Sequence, residues 1–148
     1  MRPTVDRALE VCAIALMGDV APNVAPSYRQ AAVMSAAVLL SSVREELDRI
    51  AERRIEENAA LRGIFASAAS VATEPALAAR LAEAASGRDR GYRISQLDAD
   101  NDALRALLVD LHAHVESLDS DAARALEARI WRELAASTER RRLSLGAF

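Results

Sequence analysis

Apolar residues recur along this chain at alternating steps of three and four, the spacing that lines one face of an α-helix. The longest such pattern runs through Val33, Ala36, Leu40, Val43, Leu47 and Ile50, and resumes at Leu61, Phe65, Ala68 and Ala72. No Pro and a single Gly interrupt residues 27–72, so the pattern predicts one very long helix there. Such a helix would be on the order of 70 Å long. A compact monomer of this size has a diameter of only about 40 Å. The helix therefore either breaks, with Gly63 as the weak point, or projects and pairs with another chain.

Four further segments share this spacing. Pro3 and Thr4 open a first helix with Val5, Leu9, Cys12 and Leu16 on one face, and Gly18 to Pro26 reads as a loop. Thr73-Glu74-Pro75 starts a short helix carrying Leu77 and Leu81, which stops near Gly87. Ser95 with Asp98 has the spacing of a capping box, followed by Leu97, Leu104, Leu108, Leu111, Val115 and Leu118 on one face. Asp119 and Ser120 mark a turn and an N-cap for a last helix with Ala123, Leu126, Ile130 and Leu134, Trp131 lying at the edge of that stripe. The predicted fold is all-α, a single domain over 1–148 of about five helices, with short flexible ends at 1–3 and 143–148. Coiled-coil-like packing of the long helix predicts a homodimer or tetramer, with Leu40, Val43, Leu47, Ile50, Leu61 and Phe65 as seam residues.

Composition supports this class. Apolar residues make up 51% of the 148 positions and aromatics only 3%, a core of small aliphatic side chains that suits close helix packing. Charged residues are 28% and the longest apolar run, Ala31 to Val43, is well short of the roughly 20 residues a membrane span requires. A net charge of −3 gives no field for nucleic acid, and Arg140 to Arg142 has no aromatic platform beside it. All 19 basic residues are Arg, so lysine-dependent chemistry is excluded: no Schiff base and no phosphate-loop lysine. Cys12, the single cysteine, reads as a buried structural thiol, and the lack of an export signal points to the cytoplasm.

Polar residues interrupt the stripes at informative places. Arg54 and Asn58 occupy stripe positions between Ile50 and Leu61. A buried Asn sets helix register, and a buried Arg requires a carboxylate partner. On the later helix Asp98, Asn101, Arg105, His112 and Glu116 fall within about 60° of one another at 100° per residue. Arg54, Asn58, Asn101, Arg105, His112 and Glu116 are thus the candidate residues of a groove for an anionic ligand, with His112 and Glu116 as proton-transfer groups. The competing reading is a solvated edge with i,i+4 pairs, His112 with Glu116 and Asn101 with Arg105.

No metal site is expected within one chain. His112 and His114 point about 160° apart on a helix. The Glu-x-x-His pairs of a di-iron bundle are absent, and Asp98 to Asp102 lacks the Gly and the closing Glu of a calcium loop. The acids Glu45, Glu46, Asp48, Glu52, Glu56 and Glu57 alternate with Arg44, Arg49, Arg53 and Arg54 and read as a salt-bridged solvent face. One internal echo stands out: Glu57-Asn58-x-x-Leu61-Arg62 resembles Asp100-Asn101-x-x-Leu104-Arg105, read as shared helical-seam grammar. No cofactor is expected. The leading functional expectation is a non-enzymatic helical accessory or scaffold protein acting by self-association or by docking a protein partner. The alternative is a protein or enzyme binding an anionic small molecule between helices.

Overall fold

Caps and a proline set three of the helix starts. In the computed structural model, which describes residues 4–144, five α-helices follow one another: α1 (Val5–Ala15), α2 (Ser27–Ala68), α3 (Pro75–Ser86), α4 (Ile94–Glu116) and α5 (Asp121–Arg140). Among the described residues there is no strand, and no helix is long and apolar enough to cross a membrane. Of the expected flexible ends at 1–3 and 143–148, residues 1–3 and 145–148 lie outside the described residues. The side chain of Thr4 caps α1 by accepting from the Arg7 N–H, Pro75 begins α3, and Ser120 caps α5 by accepting from the Ala123 N–H at 3.1 Å.

Three local expectations are corrected. The long helix runs unbroken through Gly63 and ends at Ala68, since an isolated Gly costs a helix only about 1 kcal/mol. The expected loop after α1 remains helical as a π-turn, Leu16–Val20, and a 3-10 turn, Ala21–Asn23, before the chain extends at Val24. Ser95 does not cap α4: the helix starts at Ile94 after an extended Arg93, which offers no side-chain cap.

The chain divides into two compact units, residues 1–50 with 143–148, and residues 51–142. In the first, α1 and the first part of α2 are tied by Arg44, which donates to Asp6 at 2.6 Å and lies 3.6 Å from Glu10. Ser144 closes onto the same stretch of helix: its N–H and hydroxyl both donate to Glu45, which holds the pKa of that carboxyl below its usual value. Among the described residues of this unit the buried ones are all alanines, Ala13, Ala21 and Ala37. Cys12 is exposed, against the expectation of a buried thiol, because the inward face of α1 is set by Ala13 with half-buried Leu9 and Leu16.

The second unit contains a continuous core: Leu61, Ile64, Phe65 and Ala68 of α2, Leu77 and Leu81 of α3, Leu104, Leu107, Leu108, Leu111 and Val115 of α4, and Ala123, Leu126 and Ile130 of α5. Cross-helix contacts fix the directions. Arg105 with Ser137 and His112 with Trp131 show α4 and α5 antiparallel, and Glu57 with Arg141 and Ser67 with Arg129 show α2 and α5 antiparallel. It follows that α2 and α4 run parallel. Their seam positions match at a constant offset: Asn58 meets Asn101, 43 residues away, and Leu61 and Leu104, Phe65 and Leu108, and Ala68 and Leu111 repeat that spacing within the core. Asn58 and Asn101 thus meet at one level of two parallel helices.

Candidate functional site

Below the apolar core of the second unit the seam turns polar. Residues that a helical stripe would fill with Leu are here Glu57, Asn58 and Asn101, exposed by only 1%, 0% and 2%. Burial of that much polarity requires complete hydrogen bonding, and α5 and α4 supply it. Arg141 donates to Glu57 through Nε at 2.9 Å and through a terminal nitrogen at 2.8 Å, a two-pronged contact. The Ser137 hydroxyl donates to Glu57 at 2.8 Å, and Arg54 donates at 3.0 Å. Arg105 lies 3.6 Å from the same carboxylate.

The asparagines extend the network. Asn101 donates to the Asn58 side-chain oxygen at 2.9 Å, Asn58 donates to Asp89 at 2.9 Å, and Arg105 donates to Asn101 at 2.9 Å and to Ser137 at 2.9 Å. Arg54 also donates to Asp98 at 2.6 Å. Burial by itself pushes the Glu57 carboxyl up. The hydrogen bonds from Arg141 and Ser137 and the charges of Arg141 and Arg105 outweigh it and hold the group down at about 2. Glu57 is an anion at any ordinary pH.

The structure therefore brings Arg54, Asn58, Asn101 and Arg105 together, but around Glu57. Reading Glu57 and Arg53 as part of a solvated charged face is corrected: both are buried, at 1% and 7% exposure. The missed signal was available, because Glu57 and Asn58 are flanked by the stripe residues Arg54 and Leu61. What the sequence could not supply was the partner, since Ser137 and Arg141 lie 80 and 84 residues away.

His112 and Glu116 are elsewhere. They stand 14 and 18 positions beyond Asp98, the partner of Arg54, so about 20 Å or more along α4. Here α4 faces α5. The His112 ring packs edge-on against Trp131, with centroids 5.2 Å apart and planes at 79°. Glu116 follows one turn later, 3.6 Å from His112 Nε2, and Glu127 of α5 completes a group whose ligating atoms lie within 4.8 Å of one another. His114 is separate: its Nε2 accepts from the Thr73 N–H at 3.1 Å, just before α3. Of the expected seam residues, Leu61 and Phe65 are in the chain's own core, Leu40 and Ile50 are half-buried, and Val43 and Leu47 are about half exposed.

One cleft, of about 360 Å³, runs along α3 and α4 beside Arg62, Arg80, Glu83 and Asp100. Its guanidinium groups are engaged, Arg62 with Asp89 at 2.8 Å and Arg80 with Asp110 at 2.7 Å. No protein-family model, no curated protein and no solved structure matches the chain.

Proposed function

We propose that this chain is a helical accessory protein that acts by pairing with a second copy of itself through its first unit. The observation that carries the reading is the imbalance of that unit. Among its described residues only three alanines are buried, whereas Val5, Val11, Ile14 and Val20, and on α2 Tyr28, Met34, Val38, Leu39, Val43 and Leu47, all stand exposed by 39% or more. A helical hairpin whose fully buried side chains are only methyl groups does little to offset the entropy of ordering its backbone.

The stretch of α2 in this unit is shaped for a partner helix. Gln30 to Val43 carries no charge. Tyr28, Ala32, Ala36, Leu39, Val43 and Leu47 follow one another at steps of four, four, three, four and four, and all six are exposed. A two-fold pair covers the same patch on both copies, which makes self-pairing the economical occupant. Ligand binding at Arg54 has less support, because an incoming anion would have to displace Asp98 and Glu57 from that guanidinium.

Light scattering across a range of concentrations tests the proposal. A dimer or larger closed assembly is expected, and Leu39→Glu should shift it to monomer while leaving Trp131 emission, which reports the other unit, unchanged. A native chain that stays monomeric at high concentration overturns the proposal.

A further inference from the structure

The corner where α4 meets α5 carries a feature that neither the core nor the Glu57 network uses. We propose that His112, Glu116 and Glu127 form a binding site for one divalent transition-metal ion, with zinc as the fitting member of the class. The two α4 ligands sit one turn apart at i and i+4, the spacing that points two side chains at one ion, and the antiparallel α5 brings the third. Nε2 of His112 is shielded from solvent and has no hydrogen-bond partner among the described residues. Its nearest acceptor, the Glu116 carboxylate, is 3.6 Å away, too far for a hydrogen bond.

That separation suits two ligands of one ion. With metal–ligand bonds of about 2.0–2.1 Å, the donor atoms around a four-coordinate zinc lie about 3.3 Å apart. All three donors here are within 4.8 Å of one another, and the broad terminal torsion of a glutamate closes the remainder. One imidazole and two carboxylates neutralise a dication and leave a position for water on the side where Glu116 is exposed. An imidazole donor with so few oxygens favours zinc, cobalt or nickel over calcium or magnesium. Trp131 packs edge-on against the imidazole and so restricts the turning of that ring. The second histidine, His114, is excluded by its bond to Thr73.

Trp131 is the single tryptophan, so it also reports the site. The test uses the whole chain, metal-stripped and free of any histidine tag. Nickel is titrated while Trp131 emission is followed, and zinc is titrated by calorimetry. Expected are one zinc ion per chain, quenching by nickel that zinc reverses and magnesium does not, and affinity at least about 10-fold weaker in His112→Ala and in Glu127→Gln. His114→Ala should bind as the native chain does. Glu127→Gln is nearly isosteric and decides the matter if His112→Ala does not fold. No stoichiometric binding, or native affinity in Glu127→Gln, overturns the proposal, as does a loss confined to His114→Ala. The site and the self-pairing of the first unit are read out separately, so either can fail alone.

Discussion

Glu57 and Arg141 meet across 84 residues of sequence in a two-pronged ion pair, at 2.9 and 2.8 Å, with the carboxylate almost wholly buried and the guanidinium partly in water. The contact joins the end of α5 to the polar part of the α2–α4 seam. It makes Glu57 the charge on which the network is centred.

Replacing Glu57 by Gln leaves Arg54, Arg105 and Arg141 facing one another without their shared anion. Removal of one partner from a buried pair is costly, and a loss of about 3 kcal/mol in urea unfolding is expected. Arg141→Ala should cost less, about 1–2 kcal/mol, because Arg54, Arg105 and Ser137 still serve the carboxylate. Equal losses in the two variants would refute the central place given to Glu57.

The same group sets an acid dependence. Its folded value is lowered from 4.5 to about 2, so the folded state holds the proton more weakly than the unfolded chain does. The stabilisation is fully present above about pH 4.5 and drains away as the pH falls towards 2, by about 3 kcal/mol in all. Asp100, also lowered because the backbone and side chain of Arg90 donate to it against the effect of burial, adds in the same direction. Unfolding midpoints measured down this range should fall steeply in the native chain and distinctly less in Glu57→Gln.

Asn58 and Asn101 form one layer of the parallel seam and should behave as a pair. Asn101→Leu alone removes the donor to the Asn58 side-chain oxygen, and Asn58→Leu alone removes the acceptor that the Asn101 side-chain nitrogen serves at 2.9 Å. The double variant should cost less than the two singles together by about 1 kcal/mol, a coupling that a double-mutant cycle reads directly. Strict additivity would mean that the two amides do not depend on each other.

Amide hydrogen exchange separates the two units. If the first unit is stabilised by a second copy, protection of α1 and of residues 27–50 in α2 rises with protein concentration, while protection of α4 and α5 does not. Protection of α1 that is strong and independent of concentration would count against pairing.

The sequence carried those parts of the fold that are decided locally. Pro75, Gly87 and Ser120 mark helix ends because caps act within one turn, and the three-four spacing of Leu104, Leu108 and Leu111 identified the inward face of α4. Ser95 misled because a capping box is a short pattern that a helix interior satisfies equally well. Cys12 misled because α1 is oriented by an alanine, whose pull on the periodicity is weak. The candidate site was legible in half. Arg54, Asn58, Asn101 and Arg105 stood out as polar breaks in apolar stripes, but Glu57 was hidden among acids it does not resemble in environment. Glu127 carried no local signal at all, since only the antiparallel fit of α5 on α4 sets it beside His112. The echo around Asn58 and Asn101 was visible as a string. Its meaning, two asparagines meeting at one level of two parallel helices, required the tertiary fold.

Parallel neighbours cannot be joined by a tight turn. The chain must leave the end of α2, travel back through residues 69–93 with α3 on the way, and only then start α4 beside its partner. The antiparallel α4 and α5 need no such detour, and His112 can find Trp131 across a short connection at residues 117–120. Loop closure favours one order of assembly, and the expectation is that the α4–α5 hairpin forms before α2 docks. Damage to Leu111 or Ile130 should then slow folding, whereas damage to the Glu57–Arg141 clasp, made last, should chiefly hasten unfolding. The clasp acts as the latch of the domain, governing how long the native state lasts more than how quickly it is reached.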